Sequence, residues 1–167
     1  MNQDTKLYIG IGLSVVAAVA LIDAVATLIR RTRKPVQPVV GSITSPFGHR
    51  SQPVAGASAN HAGVDVGVPV GTEVRAPWSG TVAAAYNDTQ YGGGKTMIID
   101  HDNGARTGYC HLSDFLADKG QHVKAGQTVC LTGNSGRTSG PHLHFTLRLT
   151  KEGERVDPTQ HGFTFNA

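Results

Sequence analysis

Short apolar runs separated by turn residues make up most of the chain after residue 41. The runs are rich in β-branched residues, and Gly, Pro, Asn and Asp recur between them at short intervals. This spacing is typical of an antiparallel all-β domain. The expected strands include Thr81 to Ala85, Thr96 to Asp100, Arg106 to Cys110, Gln127 to Thr132 and His142 to Leu149.

Two local signals add detail to this pattern. The triplet Asp102-Asn103-Gly104 separates two β-prone runs and predicts a hairpin turn, because Asn-Gly readily adopts the positive φ angles that tight turns need. One short helix is predicted from Ser113 to Lys119, with the Ser113 side chain as its N-cap.

The amino-terminal segment has a different pattern. Leu7 to Ile29 comprises 23 residues with one charge and precedes the basic run RRTRK. At about 1.5 Å per residue, a helix of this length crosses the roughly 30 Å hydrocarbon core of a bilayer. We therefore predict one N-terminal transmembrane helix ahead of the β domain. Two alternatives stay open, which are a buried core helix and a signal peptide cleaved after Ala26.

These patterns divide the chain into four segments. Residues 1–33 form the transmembrane anchor with its basic flank, and residues 34–42 form a linker with two prolines. Residues 43–150 form the β domain, and residues 151–167 form a tail that packs on the domain or trails from it. Two cysteines, Cys110 and Cys130, are too few for a disulfide scaffold, and are either buried apolar residues or one bridge.

The charge distribution bears on partners. The chain has 15 Lys and Arg against 12 Asp and Glu, a formal net charge of +3. Residues 1–34 hold five of the basic and two of the acidic side chains, so the remaining 133 residues hold 10 of each. The β domain therefore lacks the clustered basic excess that nucleic-acid binding needs.

The same charges bear on the membrane segment. The basic flank favours a cytoplasmic location for the residues that follow the span. Asp23 lies inside the span, where a charge is costly unless it pairs or reaches the boundary. The span predicts contact with membrane lipid. Asp23 indicates either homo-oligomerisation through the helix or a tolerated charge near the end of the helix.

The placement of the histidines predicts a metal site. His142 and His144 are two residues apart in an expected strand, so both imidazoles lie on one face. His61 and Asp65 are also an even number of residues apart. One carboxylate and two or three imidazoles on facing strands suit tetrahedral zinc with one position left for water, as in catalytic sites. The nearby His111 strengthens this interpretation.

In their order along the chain, these motifs resemble the zinc metallopeptidases of family M23, the lysostaphin-type and LytM-type endopeptidases that cut peptidoglycan cross-bridges. The resemblance extends from about Gly41 to Leu149, roughly two thirds of the chain. The matching stretches are ITSPFGHR (43–50), HAGVD (61–65), VPVGTEVRAPWSGTV (68–82), IIDHDNGARTGYCHL (98–112), VKAGQTV (123–129) and TGNSGRTSGPHLHF (132–145).

The resemblance implies a fold and a site. It implies an antiparallel β domain with an open substrate groove and one zinc ion held by His61, Asp65 and His144. It implies that His111 and His142 stand beside the open coordination position and share the tasks of proton acceptor and oxyanion donor. The substrates it implies are stem or cross-bridge peptides of peptidoglycan. The run from 133 to 140 would form a flexible rim of the groove.

Two positions depart from the family pattern. Cys110 replaces the small residue that usually precedes the catalytic histidine, and strand alternation leads us to expect that its side chain faces away from the site. Thr146 stands where relatives commonly have Glu, which removes one support of the histidine ligands but no ligand.

We therefore predict a membrane-anchored zinc endopeptidase that hydrolyses peptide cross-links of bacterial peptidoglycan. The alternative is a non-catalytic wall-binding or scaffolding module of the same fold. The cut bond stays open between glycine bridges and direct cross-links that join D-alanine to a diamino acid.

The predicted location raises a conflict, because a wall hydrolase must reach the wall whereas the basic flank favours the cytoplasm. Three explanations stay open. The orientation rule fails here, the segment is cleaved after Ala26, or the single span sits in the virion membrane of a membrane-containing bacteriophage rather than in a bacterial inner membrane.

Overall fold

The computed structural model describes residues 16–25, 34–50 and 58–166. The chain divides into two compact units, Met1–Arg33 and Lys34–Ala167. In the first unit, residues 16–25 are helical. The rest of the predicted 7–29 span lies outside the described residues, and within the described ranges no helix has the length and apolar character needed to cross a membrane.

The second unit is an all-β domain, as predicted. Its described residues form a short 3₁₀ helix, Pro158–His161, and the strands β1 Ser42–Ser45, β2 Gly48–His49, β3 Asn60–His61, β4 Val64–Gly67, β5 Glu73–Arg75, β6 Gly80–Asp88, β7 Gly94–His101, β8 Arg106–Phe115, β9 His122–Val123, β10 Thr128–Thr132, β11 Leu143–Arg148 and β12 Arg155–Val156.

Among the described residues of this domain, every strand pair is antiparallel. The main sheet has ten strands and follows the order β1-β4-β11-β8-β7-β6-β9. Off this path, β10 pairs with both β5 and β8, and β12 pairs with β11. Strands β2 and β3 form a separate two-stranded sheet. The five expected strands correspond to β6, β7, β8, β10 and β11.

The predicted hairpin turn at residues 102–104 joins β7 to β8. The backbone N–H of Gly104 donates to the carbonyl of His101 at 2.9 Å. Gly104 takes a φ of 91°, whereas Asn103 is not in the positive-φ region and instead accepts from the Ala105 N–H through its side chain. The turn therefore needs left-handed backbone at the glycine alone.

The prediction of a short helix from Ser113 to Lys119 is wrong. Strand β8 continues to Phe115, where it pairs with β10. The Ser113 hydroxyl donates to the carbonyl of Thr132 at 2.8 Å instead of capping a helix. Pairing with a neighbouring strand thus outweighs a capping signal that is only local.

Both ends of the domain contribute to one core. Phe163 and Phe165 of the tail are fully buried, with ring centroids 5.0 and 5.7 Å from that of Phe145 on β11. Val39 is also buried, and the Gln37 amide bonds the tail backbone at 2.9 to 3.0 Å. The segment predicted as a linker, 34–42, is therefore packed into the domain, and the tail packs rather than trails.

His101 is a buried histidine outside the predicted site. Its side chain is 3% exposed, its Nδ1 donates to the carbonyl of Trp78 at 3.0 Å, and its Nε2 lies 2.7 Å from Thr107 Oγ1. Burial lowers the pKa of His101 to about 4, although backbone hydrogen bonds oppose the shift. The folded domain therefore holds this ring in its neutral form at pH 7.

We expect His101 to make the fold acid-sensitive. The ring ionises in the unfolded chain below about pH 6.5 but in the folded chain only below about pH 4, so stability is lost as the pH falls through this window. Between pH 8 and pH 5 the loss should be about 2 kcal/mol. Urea unfolding of wild type and His101→Gln at both pH values measures it. An equal loss in the two proteins would contradict the assignment.

Candidate active site

Three predicted ligands converge where the small sheet meets the main sheet. His61 lies on β3, Asp65 on β4 and His144 on β11, and Asp65 is directly opposite His144 in the strand pairing. The connection from β3 to β4 passes close to β11, because a Cβ atom on Gly63 would lie only 2.4 Å from the carbonyl oxygen of Phe145. Glycine at this position therefore permits the close approach of the first two ligands to the third.

The ligand atoms are close enough to hold one metal ion. His61 Nε2 is 3.1 Å from Asp65 Oδ1 and 3.0 Å from His144 Nδ1. Asp65 Oδ1 is 2.7 Å from His144 Nδ1. His61 and Asp65 are buried, and the side chain of His144 is 19% exposed. The three residues thus form a largely shielded set of two imidazoles and one carboxylate.

The chemistry of these donors fits zinc. His61 Nδ1 donates to the carbonyl of Pro46 at 2.7 Å, so in the neutral ring Nε2 carries a lone pair beside the carboxylate of Asp65. Burial lowers the pKa of His144, which keeps this second ring neutral as well. A lone pair and a carboxylate oxygen in contact repel each other unless a cation lies between them. Three such ligands leave the fourth tetrahedral position of zinc open.

Arg50 holds the second oxygen of the carboxylate. Its Nη1 is 2.7 Å from Asp65 Oδ2, which leaves Oδ1 for the metal. Burial would raise the pKa of Asp65, but hydrogen bonds from His144 and Arg50 outweigh burial and hold the pKa far below its usual range. Arg50 was not predicted as a site residue. Its only signal was its position at the end of the matched stretch ITSPFGHR.

A β-bulge orients His111. The register between β7 and β8 shifts between the pairs Lys95–Leu112 and Met97–Tyr109, so β8 has one extra residue there. His111 has a φ of 62°, a left-handed conformation that non-glycine residues rarely adopt. Without the bulge, alternation would place His111 on the core face with Tyr109. The bulge turns its side chain towards the site instead.

The same bulge overturns the expectation for Cys110. Cys110 lines the groove together with His111, so its side chain faces the site rather than away from it. Burial raises the pKa of the Cys110 thiol, which therefore stays protonated as a small group of the groove wall. Cys110 and Cys130 are both free, and Cys130 is buried in the core.

His111 and His142 lie side by side next to the three ligands. Their ring centroids are 4.7 Å apart, and His142 Nε2 is 3.6 Å from Asp65 Oδ1. His111 Nδ1 donates to the carbonyl of Ser135 and His142 Nδ1 donates to that of Gly140, both at 2.8 Å. In its neutral form each ring therefore has its lone pair at Nε2. Burial lowers the pKa of His111 to about 4, so this ring is neutral at pH 7.

The predicted rim at 133–140 supplies both of these carbonyls. It is fixed to the sheet, because the Ser135 hydroxyl donates to the carbonyl of Leu112 at 2.7 Å and accepts from the Lys95 N–H at 2.9 Å. Thr138 and Gly140 also line the groove. The rim thus sets the orientation of the two histidines as well as forming an edge of the groove.

These side chains line one groove of about 850 Å³. The five predicted residues His61, Asp65, His111, His142 and His144 all contribute to it. The groove continues over the sheet, where Thr146 also lines it, towards a second group of side chains, Tyr86, Asp88, Tyr91, Arg137 and Arg155. A peptide could therefore pass the metal centre and still contact the protein beyond it.

Endopeptidases from two bacteria are among the curated relatives that resemble the chain. The peptidoglycan DD-endopeptidase ShyA of Vibrio cholerae is 42% identical over 98 residues, which are 59% of this chain and 22% of that protein. The glycyl-glycine endopeptidase ALE-1 of Staphylococcus capitis is 40% identical over 100 residues, 59% of this chain and 27% of that protein. The chain thus spans less than a third of the length of these relatives.

A solved structure and a family model agree with this similarity. The crystal structure of a zinc-containing peptidase from Vibrio cholerae has a TM-score of 0.64 at 36% identity, covering 75% of this chain and 39% of that one. The model described as peptidase family M23 matches residues 59–158, a range that contains all five predicted site residues. Because this match covers more than half of the chain, and two imidazoles and a carboxylate suited to zinc lie within it, the chain belongs to peptidase family M23.

Proposed function

We propose that the β domain is a zinc endopeptidase that hydrolyses peptide cross-links of bacterial peptidoglycan. One observation carries the proposal: three protein ligands that lie close enough to hold a metal ion share their groove with two histidines whose Nδ1–H groups bond backbone carbonyls, so that Nε2 is the proton acceptor of each neutral ring. A structural zinc site would be closed by a fourth protein ligand. Similarity to a peptidoglycan DD-endopeptidase and to a glycyl-glycine endopeptidase supports the substrate class.

The alternative of a non-catalytic wall-binding module has less support. Such a module would need the groove but neither an open metal position nor a proton acceptor. Here the ligands and both histidines are present together, and Arg50 further fixes the orientation of the Asp65 carboxylate.

In the proposed reaction, His61, Asp65 and His144 hold the zinc. Zinc in such a site supplies Lewis-acid chemistry, which polarises the scissile carbonyl and activates the attacking water. Arg50 binds one oxygen of the Asp65 carboxylate, so that the other oxygen faces the metal position. The walls of the groove keep the ligands out of bulk water, which strengthens every charge interaction inside.

His111 and His142 handle the protons. Each ring can accept a proton at Nε2 because its Nδ1–H is already used by a backbone carbonyl. A ring that has accepted the proton of water becomes a donor, which stabilises the oxyanion or protonates the leaving amine. The low pKa of His111 means that it is free to accept a proton at neutral pH and releases it readily.

We expect His61→Ala to abolish zinc binding and wall hydrolysis together. Wild-type protein should bind one zinc per domain and release soluble fragments from purified peptidoglycan, with loss of activity on chelation and recovery on zinc addition. His122→Ala is the matched control, because the His122 side chain is exposed and, among the described residues, pairs only with Asp102. Metal analysis and mass spectrometry of the fragments measure both properties. Wild-type protein that is inert on walls of several chemotypes would refute the enzyme proposal.

His111→Gln should lower the rate of hydrolysis without reducing zinc binding. The variant keeps all three ligands, so it should bind zinc like wild type while kcat falls by about 10² to 10⁴. Zinc stoichiometry, thermal stability and hydrolysis rate are measured on the same samples. A variant with full zinc content and an unchanged rate would exclude His111 as a proton acceptor.

We also propose that residues 7–29 anchor the domain in a membrane as one span. The 23-residue stretch with a single charge and the basic run after it support this. The membrane is either a bacterial inner membrane or that of a phage virion. In the second case a vesicle that forms from the host membrane would present its cytoplasmic face to the capsid, which reconciles the basic flank with action on the wall.

Membrane association can be tested by comparing the full-length protein with a shortened form that begins at Lys34. Full-length protein should float with liposomes, whereas the unit from Lys34 onwards should remain in the soluble fraction. A mature N-terminus at Thr27 would instead indicate signal cleavage and contradict the anchor. Recovery from purified virions would support the phage location, and recovery from host envelopes alone would exclude it.

A further inference from the structure

Arg155 lies on the wall of the groove beyond the metal centre. It belongs to β12, which pairs with β11 so that Arg155 is opposite Arg148 and Val156 is opposite Leu147. Val156 packs against the core, so alternation directs Arg155 to the other face of the sheet, where it lines the groove. The side chain is thus held by a strand whose neighbour also carries His144.

The other charged groups of this groove already have partners. Three Arg and two Asp are among the described residues that line it, an excess of one positive charge that zinc would increase. Arg50 pairs with Asp65, and Arg137 has an interaction within the protein. The Asp88 carboxylate accepts three backbone N–H groups of the following loop at 2.8 to 3.0 Å. Within the described part of the chain, the side chain of Arg155 makes neither a hydrogen bond nor an ion pair.

The charge of Arg155 reaches the floor of the groove. It acts on the Tyr86 phenol and the Cys110 thiol, where it partly offsets the rise in pKa that burial causes in each. Cys110 is adjacent to His111, so the field of Arg155 extends from the far wall towards the metal centre. A ligand that follows the groove from the zinc site therefore meets an unpaired guanidinium.

We propose that Arg155 forms a subsite for a carboxylate of the substrate peptide. The proposal rests on the proposed function, because it assumes that a wall peptide occupies the groove. Arg148, opposite Arg155, is four residues beyond His144, about 13 Å along the strand. An extended peptide covers this distance in about four residues. The recognised carboxylate therefore lies within about four residues of the scissile bond.

This subsite distinguishes the two classes of cross-link. Stem peptides joined directly carry free carboxylates on their acidic and diamino acid residues, whereas a glycine bridge is uncharged along its length. A planar guanidinium binds a carboxylate through two parallel hydrogen bonds. The groove of this chain is therefore suited to directly cross-linked stem peptides rather than to glycine bridges.

The test compares two synthetic stem tetrapeptides, one with free carboxylates and one with every carboxylate amidated. Their dissociation constants are measured by titration calorimetry with the full-length, zinc-loaded protein. Wild type should bind the free form about tenfold more tightly. Arg155→Gln should lose this preference, and Arg155→Lys should keep part of it. Arg148→Gln is the matched control, since Arg148 is opposite Arg155 but does not line the groove, and it should behave like wild type.

Two results would overturn the subsite. The first is equal affinity of wild type for the two peptides. The second is an equal loss in Arg148→Gln and Arg155→Gln, which would indicate diffuse surface charge. Because binding is measured apart from hydrolysis, the two proposals fail separately. A preference for the free peptide without wall hydrolysis would support the subsite and refute the enzyme proposal. Wall hydrolysis without this preference would support the enzyme proposal and refute the subsite.

Discussion

The pairing of β4 with β11 is the interaction on which the site depends. β4 lies between β1 and β11, and its Val64 and Val66 are fully buried while Asp65 between them faces the groove. A shift of one residue in this pairing would bury the carboxylate in the core and expose both valines. The apolar core therefore fixes the register, and the register places Asp65 opposite His144.

Segments outside the strands orient the histidine side chains of the site. The carbonyls that orient the imidazoles belong to Pro46, Ser135 and Gly140, none of which lies in a strand. Each carbonyl fixes which nitrogen carries the hydrogen, and burial keeps the rings of His111 and His144 neutral. The site thus combines rigid strand positions for the ligands with turn carbonyls that select the tautomer, before any ligand binds.

Features with a regular period or a motif could be predicted from the sequence, and features that depend on distant packing could not. The strands, the hairpin and the ligand trio follow from alternation and motif order. The helix at 113–119 failed because β10 offers β8 a partner that no local signal reveals. Cys110 was assigned to the wrong face because alternation assumes a strand without bulges. Arg50 is 15 residues from Asp65, and no periodicity links them.

The rings of Phe163 and Phe165 pack against Phe145, the residue that follows His144 on β11. They form a rear wall behind the metal-binding strand, yet both lie outside the range 59–158 that the family model matches. A fragment cut to that range would contain every ligand and still expose Phe145 to water. The smallest fragment of this chain able to hold the metal must therefore also include the aromatic residues that pack behind β11. The positions of the motifs alone would give a fragment that is too short.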